Sequence, residues 1–399
     1  MDAEEVSGLV RGLGLGDAVL VGLGAMIGAG VFSVFAPAAA AAGSGLLVGL
    51  AIAAVVAYCN ATSSARLAAL YPESGGTYVY GRERLGPFWG YLAGWAFVVG
   101  KTASCAAMAL TVGLYVWPER AHLVAVVAVV VLTALNYVGV KKAARVIVAA
   151  VLVVLAGVVV LGLRSSGVEL GNVGFSGGFG VLEAAGLLFF AFAGYARVAT
   201  LGEEVRDPAR TIPRAISLAL VITLVVYSVV AVTVLSVLGP SRLAESTAPL
   251  VDVVVVAGFP GLAPVVTVGA ALAALGALLA LVLGVSRTVL AMARDRRLPV
   301  ALAAVHPRFG VPHRAELVVG AVVAVAAGVA DLRGVIGFSS FGVLLYYAIA
   351  NASAFTLGRR VVPVVGFLGC VVLAVTLPVA SVLSGAAVVV VGGVLYAVR

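Results

Sequence analysis

Charge is scarce along this chain of 399 residues. Asp, Glu, Lys and Arg together make up 11%, where a soluble domain carries about 25%. Hydrophobic residues reach 63% and the mean hydropathy is +1.20, so water is not the main solvent and there is no room for a sizeable soluble domain. Cysteine is nearly absent. Cys59, Cys105 and Cys370 lie in apolar runs, far apart and without ligand spacing, which argues against a disulfide framework and a zinc site and leaves three small packing residues. The three histidines, His122, His306 and His313, fall at run ends or in loops with no Ser, Asp or Cys partner pattern, and read as solvated loop residues. No paired nucleophile and base, metal-ligand set or cofactor pattern lies within an apolar run, so the chain does not read as a membrane-embedded enzyme.

What is present is a series of long apolar runs. Each membrane-spanning helix needs roughly 20 apolar residues, and the runs predict twelve spans at 17–41, 44–66, 87–115, 122–140, 146–163, 180–201, 214–238, 262–290, 315–330, 334–357, 361–377 and 380–397. With the N-terminus inside, the cytoplasmic side collects Arg11, Arg66, Arg82, Arg84, Lys141, Lys142, Arg145, Arg206, Arg210, Arg214, Arg287, the Arg294–Arg297 segment, Arg308, Arg314, Arg359, Arg360 and Arg399. The outer side collects only Arg120, Arg164, Arg242 and Arg333. Nineteen basic residues against four is the asymmetry that orients helical membrane proteins. It accounts for the net charge of +8 without nucleic acid. Both termini are expected in the cytoplasm and the lipid bilayer is the surrounding partner. The acidic stretch Met1 to Glu5 is unlike the positive leader of a secretory signal, so the first apolar segment is expected to stay as a helix.

Two spans are interrupted by glycine at mid-depth: the first by Gly22, Gly24, Gly28 and Gly30, the sixth by Gly194 after Phe189-Phe190-Ala191-Phe192-Ala193. Glycine in membrane helices also serves close packing, but interruptions at matching places in two halves point to a midplane binding site. The chain then divides into a tail, 1–16, a first repeat of five spans, 17–163, a second in the opposite orientation, 180–357, and an appended pair, 361–399.

A helix opened in hydrocarbon exposes backbone groups that cost several kcal/mol each if unpaired. A zwitterion supplies partners for both kinds. Met26, Ile27, Gly28, Ala29 and Gly30 can offer N–H donors to a carboxylate, with glycine allowing close approach. Carbonyls around Phe190, Ala191, Phe192 and Ala193 can accept from an ammonium.

Gly24-Ala25-Met26-Ile27-Gly28-Ala29-Gly30-Val31-Phe32 resembles the first-helix motif of the amino acid–polyamine–organocation superfamily, as found in bacterial amino acid permeases. Phe189 to Tyr195, followed by Glu203-Glu204-Val205-Arg206-Asp207-Pro208 and Ile212-Pro213-Arg214, is similar to its sixth-helix motif and the loop beyond. Pro72 to Tyr78 before span three, and Ala291 to Asp295 with Leu298-Pro299 after span eight, are similar to two further landmarks. The resemblance implies an all-α, five-plus-five inverted-repeat fold with broken helices one and six, alternating access in the cell membrane, and an amino acid or related amine as the small-molecule substrate. Two family devices have no counterpart. The lysine that some proton-coupled members carry in helix five aligns with Val154, and Leu278 to Val285 offers no hydroxyl for the sodium site of other members, with only Ser286 following.

An ionisable group deep in a span costs about 2.5–3.5 kcal/mol on insertion scales. Lys101 is the deepest, near the middle of span three. It reads either as a lysine that binds and releases the coupling proton, since burial disfavours the ammonium, as a fixed cation bonded to carbonyls of a broken helix, or as a side chain reaching toward water. Arg197, just beyond the break in span six, and Glu203 read as a gate or local ion pair; an Arg197 facing the cavity would recognise an acidic substrate. Asp17 and Glu183 begin spans one and six, where carboxylates favour helix N-termini. A channel would need a ring of like charges or a carbonyl filter, and neither is visible. The sequence thus predicts a secondary active transporter, with proton symport favoured and exchange or facilitated diffusion as the alternatives.

Overall fold

The computed structural model describes residues 12–71, 75–138, 144–165, 169, 171, 178, 180–195, 198 and 205–398. Apart from one isolated bridge between Leu13 and Val205, the described residues form helices and their connections. In chain order these are α1 (Leu15–Met26), α2 (Gly30–Ser33), α3 (Phe35–Ala42), α4 (Leu46–Leu70), α5 (Thr77–Leu85), α6 (Pro87–Val116), α7 (Ala121–Val138), α8 (Ala144–Arg164), α9 (Gly180–Phe192) and α10 (Pro208–Glu245). There follow α11 (Pro249–Val256), α12 (Ala263–Arg294), α13 (His313–Val329), α14 (Leu332–Phe355), α15 (Val361–Val375) and α16 (Val379–Ala397). Each expected span coincides with a helix or, for the first, with α1 to α3 in series. Helical geometry in α10 is interrupted at Gly239 (φ 71°, ψ 163°) beside Pro240, so the seventh crossing ends there.

Nine helical segments among the described residues are long and apolar enough to cross a membrane. Val361–Val375 and the sixth crossing, Gly180–Tyr195, are shorter apolar helices, and α13 has 17 residues. The outward faces carry Val130, Val153, Val225, Val325 and Leu383 exposed, as expected where lipid replaces water around an all-α membrane protein. Hydroxyls that would be stranded in hydrocarbon bond within their own helices: Thr102, Thr111, Ser286 and Ser353 each donate to the carbonyl four residues back. Helices α6 and α14 are mostly buried and form the centre of the bundle.

The helix pairings exchange onto one another when the first five crossings are swapped with the next five. The first crossing packs on the seventh (α1 and α3 on α10) as the sixth packs on the second (α9 on α4). The third packs on the tenth (α6 on α14) as the eighth packs on the fifth (α12 on α8). The third on the eighth, the fourth on the ninth and the second on the seventh map onto themselves. The two short helices obey the same rule, since α5 precedes and packs on α6 while α11 precedes and packs on α12. Helices α15 and α16 attach outside this set, α15 on α14 and α4, and α16 on α14 and α6, where the Trp95 indole N–H donates to the Val388 carbonyl at 2.9 Å.

Asp17 accepts from the Gly14 N–H at 3.2 Å and so caps α1 as expected. Glu183 goes further, taking Arg333 at the start of α14 at 2.7 Å. The histidines depart from a purely solvated role. His306 and His313 pack edge-on to each other and to Tyr137, while exposed His122 bonds the Ala327 carbonyl at 2.9 Å. All three cysteines are free and buried.

Candidate functional site

Helix α1 stops at Met26, and regular bonding resumes only when Phe32 N–H reaches the Ala29 carbonyl at 3.1 Å. Between those points Gly28, Ala29, Gly30 and Val31 have no acceptor for their backbone N–H among the described residues. Four consecutive donors without a partner among the described residues can receive an anion, since hydrocarbon cannot satisfy them. On the sixth crossing, α9 ends at Phe192 and tightens into a 3₁₀ turn over Ala193–Tyr195.

The two breaks touch. A side chain at Gly30 would lie 2.8 Å from the Ala191 Cβ, and one at Gly194 would lie 2.3 Å from the Ala25 carbonyl oxygen. Only glycine allows this approach of backbone to backbone. Met26, Ile27, Ala29, Ala191, Phe192 and Ala193 are buried, and Phe190 is the most exposed of the expected substrate-contacting residues at 7%. Gly28 faces Ala277 on α12 instead of the sixth crossing.

Two of the expected acceptor carbonyls are already engaged by side chains. The Tyr227 hydroxyl, from mid-α10, lies against both the Met26 and the Ala191 carbonyls, the latter at 3.1 Å, and pins the two breaks together. Lys101, 6% exposed, donates from its ammonium to the Ala193 carbonyl at 3.1 Å. Tyr347 on α14 reaches the same carbonyl at 3.5 Å and stacks on Tyr195. Sequence reasoning placed Lys101 near mid-membrane but missed Tyr227. Its signal was a lone phenol in the middle of an apolar run, which needs a buried partner. Arg197 and Glu203 lie outside the described residues. Val154 packs on Gly269 of α12, and the α8 residue that meets Gly24 near the first break is Val148. The Ser286 hydroxyl on α12 donates to the Val282 carbonyl of its own helix at 2.7 Å.

Polar contacts close the bundle at both ends. At one end Tyr78 of α5 donates to Asp295 beyond α12, Arg82 reaches the same carboxylate at 3.3 Å, Thr77 N–H donates to the Tyr346 hydroxyl at 3.0 Å, and Arg84 donates to Thr356 Oγ1 at 2.7 Å. Burial, then the hydrogen bond to Asp295, pushes the Tyr78 hydroxyl above the ordinary tyrosine range. At the other end stands the Arg333–Glu183 pair. The Arg82–Asp295 contact joins two loops expected on the cytoplasmic side, and the Arg333–Glu183 contact joins two span ends expected on the outer side.

A bundle of apolar helices with two apposed breaks and closures at both ends defines a membrane transporter. Comparison with known proteins gives the lineage: residues 17–367 match the amino acid permease family, and the chain belongs to that family, whose members are transporters. It is 69% identical to an uncharacterized transporter of Mycobacterium tuberculosis over 98% of this chain and 92% of that one. It is 27% identical to a branched-chain amino acid permease of Bacillus subtilis, over 88% of this chain and 82% of the permease. With cationic amino acid transporter 4 of Homo sapiens it shares 28% identity, over 89% of this chain and 61% of the relative.

Proposed function

We propose that the chain carries an amino acid across the bacterial cell membrane by alternating access, as a proton-linked secondary active transporter with both termini in the cytoplasm. The observation that carries this reading is the run of four unpaired N–H groups at 28–31, held against the break of the sixth crossing by Gly30, Gly194 and Tyr227. The substrate carboxylate takes the N–H donors. Its ammonium takes the carbonyls left open around the two breaks, with Met26 to Gly30 and Phe190 to Ala193 as the binding segments.

The exchange of helix pairings supports two inverted repeats, 17–163 and 180–357, with 361–399 appended. Protons are favoured as the coupled ion because Lys101 places an ionisable group on the Ala193 carbonyl at the break. In this scheme Lys101 carries the coupling proton together with the substrate, and Arg197 with Glu203 gates the cytoplasmic side.

The test is uptake of a radiolabelled amino acid panel by the purified protein in liposomes, with and without an inward proton gradient. Saturable accumulation that collapses with the gradient is expected. Saturable uptake indifferent to the gradient would instead assign an exchanger or facilitator.

A further inference from the structure

The described part of the molecule buries only two charged side chains, Lys101 and Glu316, and they stand in different places. Glu316 sits in the first turn of α13, a helix that packs on α6, α7 and α12. Lys101 alone is at the breaks, with its ammonium 3.1 Å from the carbonyl of Ala193, the residue before Gly194, which itself lies against Ala25 and Met26. The Tyr347 hydroxyl reaches the same carbonyl at 3.5 Å and Tyr347 stacks on buried Tyr195, and no carboxylate lies within salt-bridge distance of Lys101 among the described residues.

We infer that Lys101 is the specificity-determining residue of the binding site, and that it excludes substrates with a cationic side chain. The inference rests on the binding site assigned above. One buried cation beside the substrate's own ammonium leaves no place for a second substrate cation. A lysine or arginine side chain, or a polyamine, would enter a low-dielectric space that already holds a positive charge and, among the described residues, offers no carboxylate to offset it, which penalises it twice, by repulsion and by desolvation. A side chain of hydrocarbon or neutral polar character meets neither obstacle. In proton symport the argument tightens, because the proton on Lys101 and the substrate travel together.

Two unit charges about 6 Å apart at an effective dielectric of about 20 oppose one another by a factor on the order of a hundred in affinity. The experiment measures inhibition of labelled leucine binding and uptake in proteoliposomes by unlabelled leucine, alanine, lysine, arginine and spermidine, for the natural protein, Lys101→Met and Lys101→Arg. In the natural protein leucine and alanine are expected to compete, and lysine, arginine and spermidine to compete on the order of a hundredfold more weakly. Lys101→Met should narrow the leucine-to-lysine ratio at least about tenfold, whereas Lys101→Arg, which keeps the charge, should restore it. A merely structural lysine would alter all competitors alike and leave the ratio fixed. Lysine or arginine competing as well as leucine in the natural protein overturns the inference while leaving the binding site standing. Absence of binding by every amino acid in folded protein overturns both.

Discussion

Gly194 packs where no side chain fits, because the obstructing atoms are the backbone of Ala25 and Met26. Gly194→Ala must therefore push the two breaks apart, and a roughly tenfold or greater loss of uptake is expected, in keeping with overpacking costs of about 1–3 kcal/mol. Gly157→Ala on α8, where an added Cβ meets nothing within 4 Å, is the matched control and should transport normally. Tyr227 acts at the same point by another means. Tyr227→Phe leaves the Met26 and Ala191 carbonyls without their donor, and a buried acceptor left unmade costs about 1–3 kcal/mol. The expected result is a drop of about tenfold in kcat/KM of uptake with expression unchanged; an unaltered value would show that the phenol does not hold the breaks together. Tyr78 offers a pH test. Its hydroxyl is held above the ordinary tyrosine range by burial and Asp295, so the contact is complete below that range and is lost only as pH rises beyond it. Tyr78→Phe should therefore change uptake by the same factor from pH 6 to pH 9, and a factor that varied across that window would contradict the assignment.

At the scale of helices, the apolar runs made the crossings legible because each must supply its own backbone bonding and an apolar exterior, two demands that composition alone reveals. The break in the first crossing was legible from its glycine spacing, and so was the pairing with the sixth, since Gly30 and Gly194 do meet the opposite segment. What ties the breaks was not. Whether the Tyr227 hydroxyl points at Met26 or at lipid depends on the rotation of α10 about its axis, which an apolar run leaves undefined. The partner of Lys101 was open for a similar reason, because a long flexible side chain reaches several carbonyls from one position. Val154 illustrates the opposite hazard. An alignment through the preceding loop matches it to the helix-five lysine of some family members, but alignment does not say what it faces: α8 presents Val148 to Gly24 and Val154 to Gly269. Glu183 looked like a helix-end carboxylate, and only the fold brought Arg333 to it.

At the scale of the whole molecule, the pairing of segments that share a side gives the charge asymmetry a structural counterpart. Arg66 binds the carbonyls of Leu357 and Gly358, Arg297 lies over the Tyr396 ring, and Arg206 N–H bonds the Leu13 carbonyl, so loops far apart in sequence gather at one end. Alkaline phosphatase fusions are expected to be active after Glu119 and Gly261 and inactive after Gly310 and Arg359; the reverse pattern would invert the orientation. One residue of the central helix then acquires an unplanned use. Cys105 is fully buried, one helical turn beyond Lys101 toward the end where Arg333 meets Glu183. It is a native thiol one turn from the ammonium-bearing Lys101 and sheltered from solvent. In this chain, Glu183→Gln should speed its modification by a membrane-impermeant thiol reagent added from outside, an effect that saturating substrate slows and Cys105→Ser abolishes. The molecule thus carries its own optical shutter, a sulfur atom whose reactivity would time each opening without any engineered label.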